Sequence, residues 1–256
     1  METSVILIAF LFSLIAGMAT GLGSLIVFFI KDLKHSYLAA FMGFSAGVMI
    51  QISFAELLFS AVIDAGFLYA NISFFLGALT IALTDFLIPH EYKEEHRSED
   101  AHAHKHQRLM RTGLLVSLGI AIHNFPEGLV TLFGTIKDPN LGLALLIAIA
   151  LHNIPEGISV SFPIFYATKN RTKAFTWSFL SGLAEPVGAV IGFTILYPII
   201  NSFMLSMALA FVAGIMVFIS FDELLPISLK YGEEHISIIS LFFGMFMMTS
   251  ILLFLK

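Results

Sequence analysis

HNFPEG at residues 123–128 and HNIPEG at residues 152–157 are near-copies 29 residues apart, and each lies inside a long apolar stretch. His123 and Glu127 are spaced i, i+4, as are His152 and Glu156, so on a helix each pair projects from one side. Asn124 and Asn153 follow their histidines by one residue, about 100° further round the helix. Ionisable groups are costly in a bilayer and rarely face lipid; where they occur they mark ion paths or proton relays. Two matching sets that offer only nitrogen and oxygen donors point to a divalent cation held between two helices.

The chain around the motifs fixes the class of protein. Of 256 residues, 58% are hydrophobic and 12% charged, and the mean hydropathy is +0.92, outside the range of a water-soluble domain. Apolar runs of about 20 residues, enough to cross a bilayer, recur along most of the length. The expected fold is an all-α, multi-pass membrane protein forming a single domain over residues 1–256. A net charge of −5 carries little weight when charge is confined to short loops, and nothing points to a nucleic-acid partner. Cysteine is absent, which excludes disulfides and thiolate metal sites. Met1-Glu2-Thr3 carries no basic residue and the apolar run after it reaches Ile30, too long for the core of a cleaved secretory signal.

Eight spans are expected, at roughly 4–30, 36–62, 67–89, 110–135, 140–167, 173–199, 203–228 and 235–255. Short connections such as Lys31-Asp32-Leu33-Lys34, Lys137-Asp138-Pro139-Asn140 and Lys169-Asn170-Arg171 separate them, and only 90–109 is a long polar loop. An even number of spans puts both termini on one side. The loops opposite them then hold 11 of the 13 lysines and arginines, and the terminal side keeps only Lys137 and Lys256. By the positive-inside rule the termini face outward and loop 90–109 faces the cytoplasm, in the cell membrane.

A second repeat is longer. FSAGVMIQISFAELLF (44–59) matches FVAGIMVFISFDELLP (211–226) at 10 of 16 positions, at an offset of 167. The same offset pairs Phe75 with Phe242 and Gly77 with Gly244. Spans 2 and 7 run in opposite directions, as do spans 4 and 5, so a 3+2+3 arrangement with inverted symmetry is predicted. Secondary transporters often follow this plan, with the site near the midplane.

Pro126 and Pro155 remove a backbone donor inside their spans, which frees the carbonyls of Ile122 and Leu151 and predicts a kinked, partly unwound segment. Such a segment is tolerated where it lines a polar cavity. Gly128 and Gly157 allow close helix approach. Glu185 in span 6 is the natural third carboxylate; at an offset of 167 its counterpart in span 1 is Met18, so the acid breaks the internal symmetry. A lone histidine in a membrane helix usually makes only a helix–helix hydrogen bond. Two His–Asn–Pro–Glu sets plus Glu185 argue for more. Glu56, beside Gln51 and Ser53, and Asp222-Glu223 near the other end are candidate entry and exit residues, with snorkelling to the interface as the plain alternative. Loop 90–109 carries His90, His96, His102, His104 and His106 among acidic residues. Histidine-rich tracts can contact transition metals, here as a transient cytoplasmic acceptor or sensor, and in chains of this composition such a loop is most often a disordered polar linker.

The paired HNFPEG and HNIPEG motifs, the His-rich segment between spans 3 and 4, and GLAEPVG in span 6 resemble the ZIP (Zrt/Irt-like) metal transporters over essentially the whole chain. The compact size and ISFDELLP are most similar to the bacterial ZupT-like branch. The resemblance implies import of zinc, and often of iron, manganese, cobalt or cadmium, as substrate rather than cofactor, by elevator-like alternating access. It also implies a membrane homodimer and a binuclear centre between spans 4, 5 and 6. One metal would use His123, Glu127, His152 and Glu156. The second would use Asn124, Glu127, Asn153, Glu156 and Glu185, with the two shared glutamates bridging. Some relatives carry Gln-Asp where this chain has His152-Asn153, which takes a carboxylate from the second position and adds an imidazole to the first.

Imidazole with carboxylate suits Zn²⁺ and also Fe²⁺, Co²⁺, Mn²⁺ and Cd²⁺. Ligands must lose their protons to bind, so protonation is one route to release. The competing class is an intramembrane metal-dependent hydrolase. It requires an open coordination position and a carboxylate base, as on H-E-x-x-H helices. The order here is H-N-x-P-E, without a second histidine at i+4, and an inverted repeat suits a path across the membrane better than a cleavage centre. No enzymatic activity is expected.

Overall fold

A computed structural model describes residues 3–30, 34–87, 103–196, 198–199, 201–231 and 234–255 of the chain. Among the described residues the regular structure is helical throughout. In chain order the helices are α1 (Thr3–Ser24), α2 (Ile26–Phe29), α3 (His35–Ile52), α4 (Phe59–Ala65), α5 (Phe67–Leu87), α6 (Ala103–Lys137), α7 (Pro139–Thr168), α8 (Arg171–Gly182), α9 (Ala184–Ile191), α10 (Ser202–Ile219), α11 (Leu225–Tyr231) and α12 (Glu234–Leu255). Wide π-helical turns join α3 to α4 (Ser53–Leu58) and α10 to α11 (Ser220–Leu224), and another follows α9 (Gly192–Leu196). Seven stretches of described residues are long and apolar enough to cross a membrane. The eighth expected span falls within α6, which is not among the seven. Helix α6 already begins at Ala103, so the second part of the expected 90–109 loop is helical; the rest of that loop lies outside the described residues.

Local chemistry sets the ends. Asp138 accepts a hydrogen bond from the Asn140 backbone N–H at 2.9 Å and Pro139 opens α7, the usual pairing of side-chain cap and first-turn proline. Helix α7 stops where Lys169 takes φ of 53°, a left-handed residue that ends the helical bond pattern. Asn170 Oδ1 then caps α8 through the Lys173 N–H at 2.9 Å, and Asn201 caps α10 through the Met204 N–H at 2.9 Å. Gly66, at φ of 86°, turns the chain from α4 into α5.

The helices pack as two groups. Helices α1, α6, α7, α8 and α9 lie mainly against one another, α7 between α6 and α1. In the second group α3 pairs with α12 and α10 pairs with α5. The groups meet where α3 lies on α7 and α10 lies on α6. Small residues make the closest crossings: Gly47 of α3 faces the Leu241 carbonyl and Gly214 of α10 faces the Phe74 carbonyl. Likewise Gly77 of α5 faces Phe211 and Gly244 of α12 faces Phe44. Each of these contacts maps onto its partner by adding or subtracting 167. Backbones close enough to exclude a methyl group gain van der Waals contact, which drives association where lipid is as apolar as the side chains. Helices α5 and α12 take the periphery, with Phe75, Leu79, Phe242 and Phe246 exposed.

Candidate metal site

Helices α6 and α7 pack side by side at the centre of the first group, with α1 and α9 against them. Neither Pro126 nor Pro155 breaks its helix; α6 and α7 run unbroken through both, and α7 also passes Pro163. The expected unwinding is therefore absent. Close packing by neighbouring helices lets a proline sit inside a membrane helix without local melting. The glycine that closes each motif does what its spacing suggests. A Cβ on Gly128 would collide with the backbone of Glu185, and one on Gly157 with the backbone of Thr20.

His123, Asn124 and Glu127 of α6, His152, Asn153 and Glu156 of α7, and Glu185 of α9 are each at most 1% exposed. The histidines and glutamates pair across the two helices. His152 Nε2 lies 3.0 Å from Glu127 Oε1, and His123 Nε2 lies 3.1 Å from Glu156 Oε1. The second approach is close without hydrogen-bond geometry, and neither atom has another partner. The asparagines turn to the other side. Asn124 Nδ2 donates to the Ser181 carbonyl at 3.2 Å, while Asn153 Nδ2 donates to the Ala16 carbonyl at 2.9 Å and to Glu185 Oε1. With both amide nitrogens committed, the Oδ1 atoms of Asn124 and Asn153 remain unbonded, as do Glu127 Oε2, both oxygens of Glu156 and Glu185 Oε2.

Buried oxygens without donors are rare in folded proteins and need an explanation. Three buried carboxylates within electrostatic reach of one another carry a desolvation cost that only a cation or protons can offset. Among the described residues no group of three or more His, Asp or Glu side chains is already gathered as a metal cage. The donors stand instead in two cross-helix His–Glu pairs. Two donors bound tetrahedrally to zinc at about 2.0 Å stand about 3.3 Å apart. Each His–Glu pair needs to open by only a few tenths of an ångström to reach that spacing.

The candidate entry and exit residues take distinct places. Glu56 and Glu223 both sit half-buried in the π-helical turns, while Asp222 is exposed. Glu223 reaches α6 one turn before His123: a Cβ added to Gly119 would lie 3.9 Å from its Oε1.

One counterpart assigned from the sequence is corrected. Glu185 packs its backbone on Gly128 and Thr20 packs its backbone on Gly157, and these two positions are 165 residues apart, not the 167 that pairs Glu185 with Met18. Met18 is 45% exposed and faces away, whereas Thr20 is fully buried with an unpartnered hydroxyl. Sequence reasoning missed Thr20; the matching spacing of Gly17, Thr20 and Gly23 to Gly182, Glu185 and Gly188 is the signal that finds it.

Known proteins place this arrangement. The family model described as ZIP Zinc transporter matches residues 86–252. Proteins called zinc transporter ZupT from Clostridium perfringens, Chlorobaculum parvum and Lysinibacillus sphaericus are 48%, 49% and 50% identical to the chain. The alignments cover 98%, 98% and 95% of this chain and 97%, 98% and 96% of theirs. Two proline-bearing helices with buried His, Asn and Glu sets, in a chain so similar to these proteins from end to end, leave one assignment: the chain belongs to the ZIP family of membrane metal transporters, in its ZupT-like branch, and is not an enzyme.

Proposed function

We propose that this protein imports zinc into the cytoplasm, and also accepts iron, manganese, cobalt or cadmium, through a binuclear site between α6, α7 and α9. The observation that carries this function is the set of wholly buried acceptors: Glu127, Glu156, Glu185 and the two asparagine oxygens, beside two imidazoles. His123, Glu127, His152 and Glu156 hold the first cation. Asn124, Asn153 and Glu185, with the second oxygens of Glu127 and Glu156, hold the other. Glu56, Asp222 and Glu223 serve approach and departure. Transfer occurs by alternating access of the two helix groups, within eight spans arranged 3+2+3, with the termini outside and the 90–109 segment in the cytoplasm. The recurrence of π-helical turns and glycine–carbonyl crossings at an offset of 167 supports the inverted repeat. The meeting of the α4 and α6 ends with the α10 start supports the even count of spans.

Zinc-65 uptake into proteoliposomes tests the assignment. His123→Ala and Glu127→Ala lose most of the flux, and Glu185→Ala shifts ion preference, losing iron or cadmium before zinc. Equal zinc uptake in all three variants and the native chain removes the site.

A further inference from the structure

Away from the metal site, one polar cluster joins the two helix groups. Lys137, the last residue of α6, donates through Nζ to Ser60 Oγ of α4 at 2.6 Å and forms an ion pair with Asp64 of the same helix. Ser206, in the first turns of α10, donates to the same carboxylate oxygen, Asp64 Oδ2, at 2.9 Å. Three helix ends are thus tied at a single point. Helices α4 and α10 belong to one packing group, and α6, which carries His123 and Glu127, belongs to the other. The Ser206–Asp64 bond lies within a group, whereas both Lys137 contacts cross between groups.

Lys137 is also unusual in its position. It is one of two basic residues on the side assigned to the termini, and the positive-inside rule gives no reason for a cation there. Its side chain is 22% exposed and that of Asp64 39%, so the pair sits at the rim, open to water on one flank. A lysine anchored by a carboxylate and a hydroxyl, at the end of the helix that bears the site, holds that end against its neighbours. Any displacement of α6 relative to α4 and α10 must break both contacts.

We infer that Lys137, Asp64, Ser60 and Ser206 form a latch at the outer rim that holds the two helix groups in one arrangement and opens once in each transport cycle. The inference rests on the alternating access proposed above. Packing alone at the α6–α10 crossing does not need a charged tether at the rim; a rim contact that is made and broken does.

The native chain contains no cysteine, so introduced thiols react without background. The pair is bridged through a long lysine side chain, so the test uses a short, reducible bis-methanethiosulfonate linker on the full-length protein in proteoliposomes. Linking Asp64→Cys to Lys137→Cys is expected to lower zinc uptake at least tenfold, with recovery on reduction by a phosphine. Linking Asp64→Cys to Ser206→Cys, within one group, leaves uptake within twofold of the unlinked protein. Complete Asp64–Lys137 linkage with unchanged uptake overturns the latch, and so does failure of the linker to join those positions. If the unlinked Asp64→Cys, Lys137→Cys protein is itself inactive, the double reversal Asp64→Lys, Lys137→Asp decides. It must recover at least half of the native uptake lost in each single reversal, and no recovery overturns the latch. Glu127→Ala in parallel separates the two levels: if it transports normally the metal site fails, whereas if it is dead while linked protein still transports, only the latch fails.

Discussion

Replacing Gly128 by alanine probes how the site is held together rather than what it binds. The added Cβ would lie 2.7 Å from the Glu185 carbonyl carbon and 3.0 Å from its Cα, with the carbonyl oxygen closer still. Ordinary contact begins at 3.4 Å, so α9 must retreat from α6 by at least 0.7 Å. The obstacle is backbone, which cannot rotate aside. Overpacking of this kind costs about 1–3 kcal/mol, and binding constellations tolerate about 0.5 Å of error. Glu185 leaves its place beside Asn153, and α6 moves against α7. The expected outcome is a folded protein with a lower Tm and at least tenfold weaker zinc uptake at low zinc concentration. Gly119→Ala on the same helix is the control, since its Cβ meets nothing nearer than the Glu223 carboxylate at 3.9 Å; it should transport as the native chain does. Uptake in proteoliposomes and thermal unfolding in detergent supply the two readouts. Native uptake by Gly128→Ala, at native Tm, would refute the claim that the α6–α9 crossing sets the geometry of the site.

Two further outcomes follow from the same packing. Gly47→Ala and Gly214→Ala place a methyl on the Leu241 and Phe74 carbonyls, crossings that coincide at an offset of 167; each should cost about 1–3 kcal/mol of overpacking and lower Tm to a similar extent, and a large loss in only one speaks against the inverted repeat. Asp138→Ala removes the side-chain cap of α7, a loss of about 1 kcal/mol, seen as a lower Tm with zinc affinity unchanged; altered affinity would mean that the start of α7 is coupled to the site.

Much of this molecule is legible in the chain because lipid enforces simple rules. The hydrophobic runs give seven of the expected spans as long apolar helices, with ends within about five residues, and the i, i+4 spacing in the two motifs puts the histidine and glutamate of each on one face. Cross-pairing of His123 with Glu156 and of His152 with Glu127 is not written there, because it depends on how two helices are rotated about their axes. Proline misled for a related reason: its lost hydrogen bond is certain, but the response of the helix is set by neighbours that the local sequence does not name. Thr20 was hidden behind a two-residue difference in offset. Lys137 read as one more loop charge, because its partners Asp64 and Ser60 are 73 and 77 residues away in the chain.

The π-helical turn at Ser53–Leu58 has a directional effect on everything after it. A wide turn inserts one residue into a helix, and one residue is worth about 100° of azimuth. Helix α4 therefore continues the span begun by α3 with its faces re-phased. Asp64 points toward Lys137 and Ser206 because of that extra residue. Deleting a single residue between 53 and 58 would swivel the carboxylate by more than a quarter of a circle, toward a different neighbour, while leaving the composition of the span almost untouched.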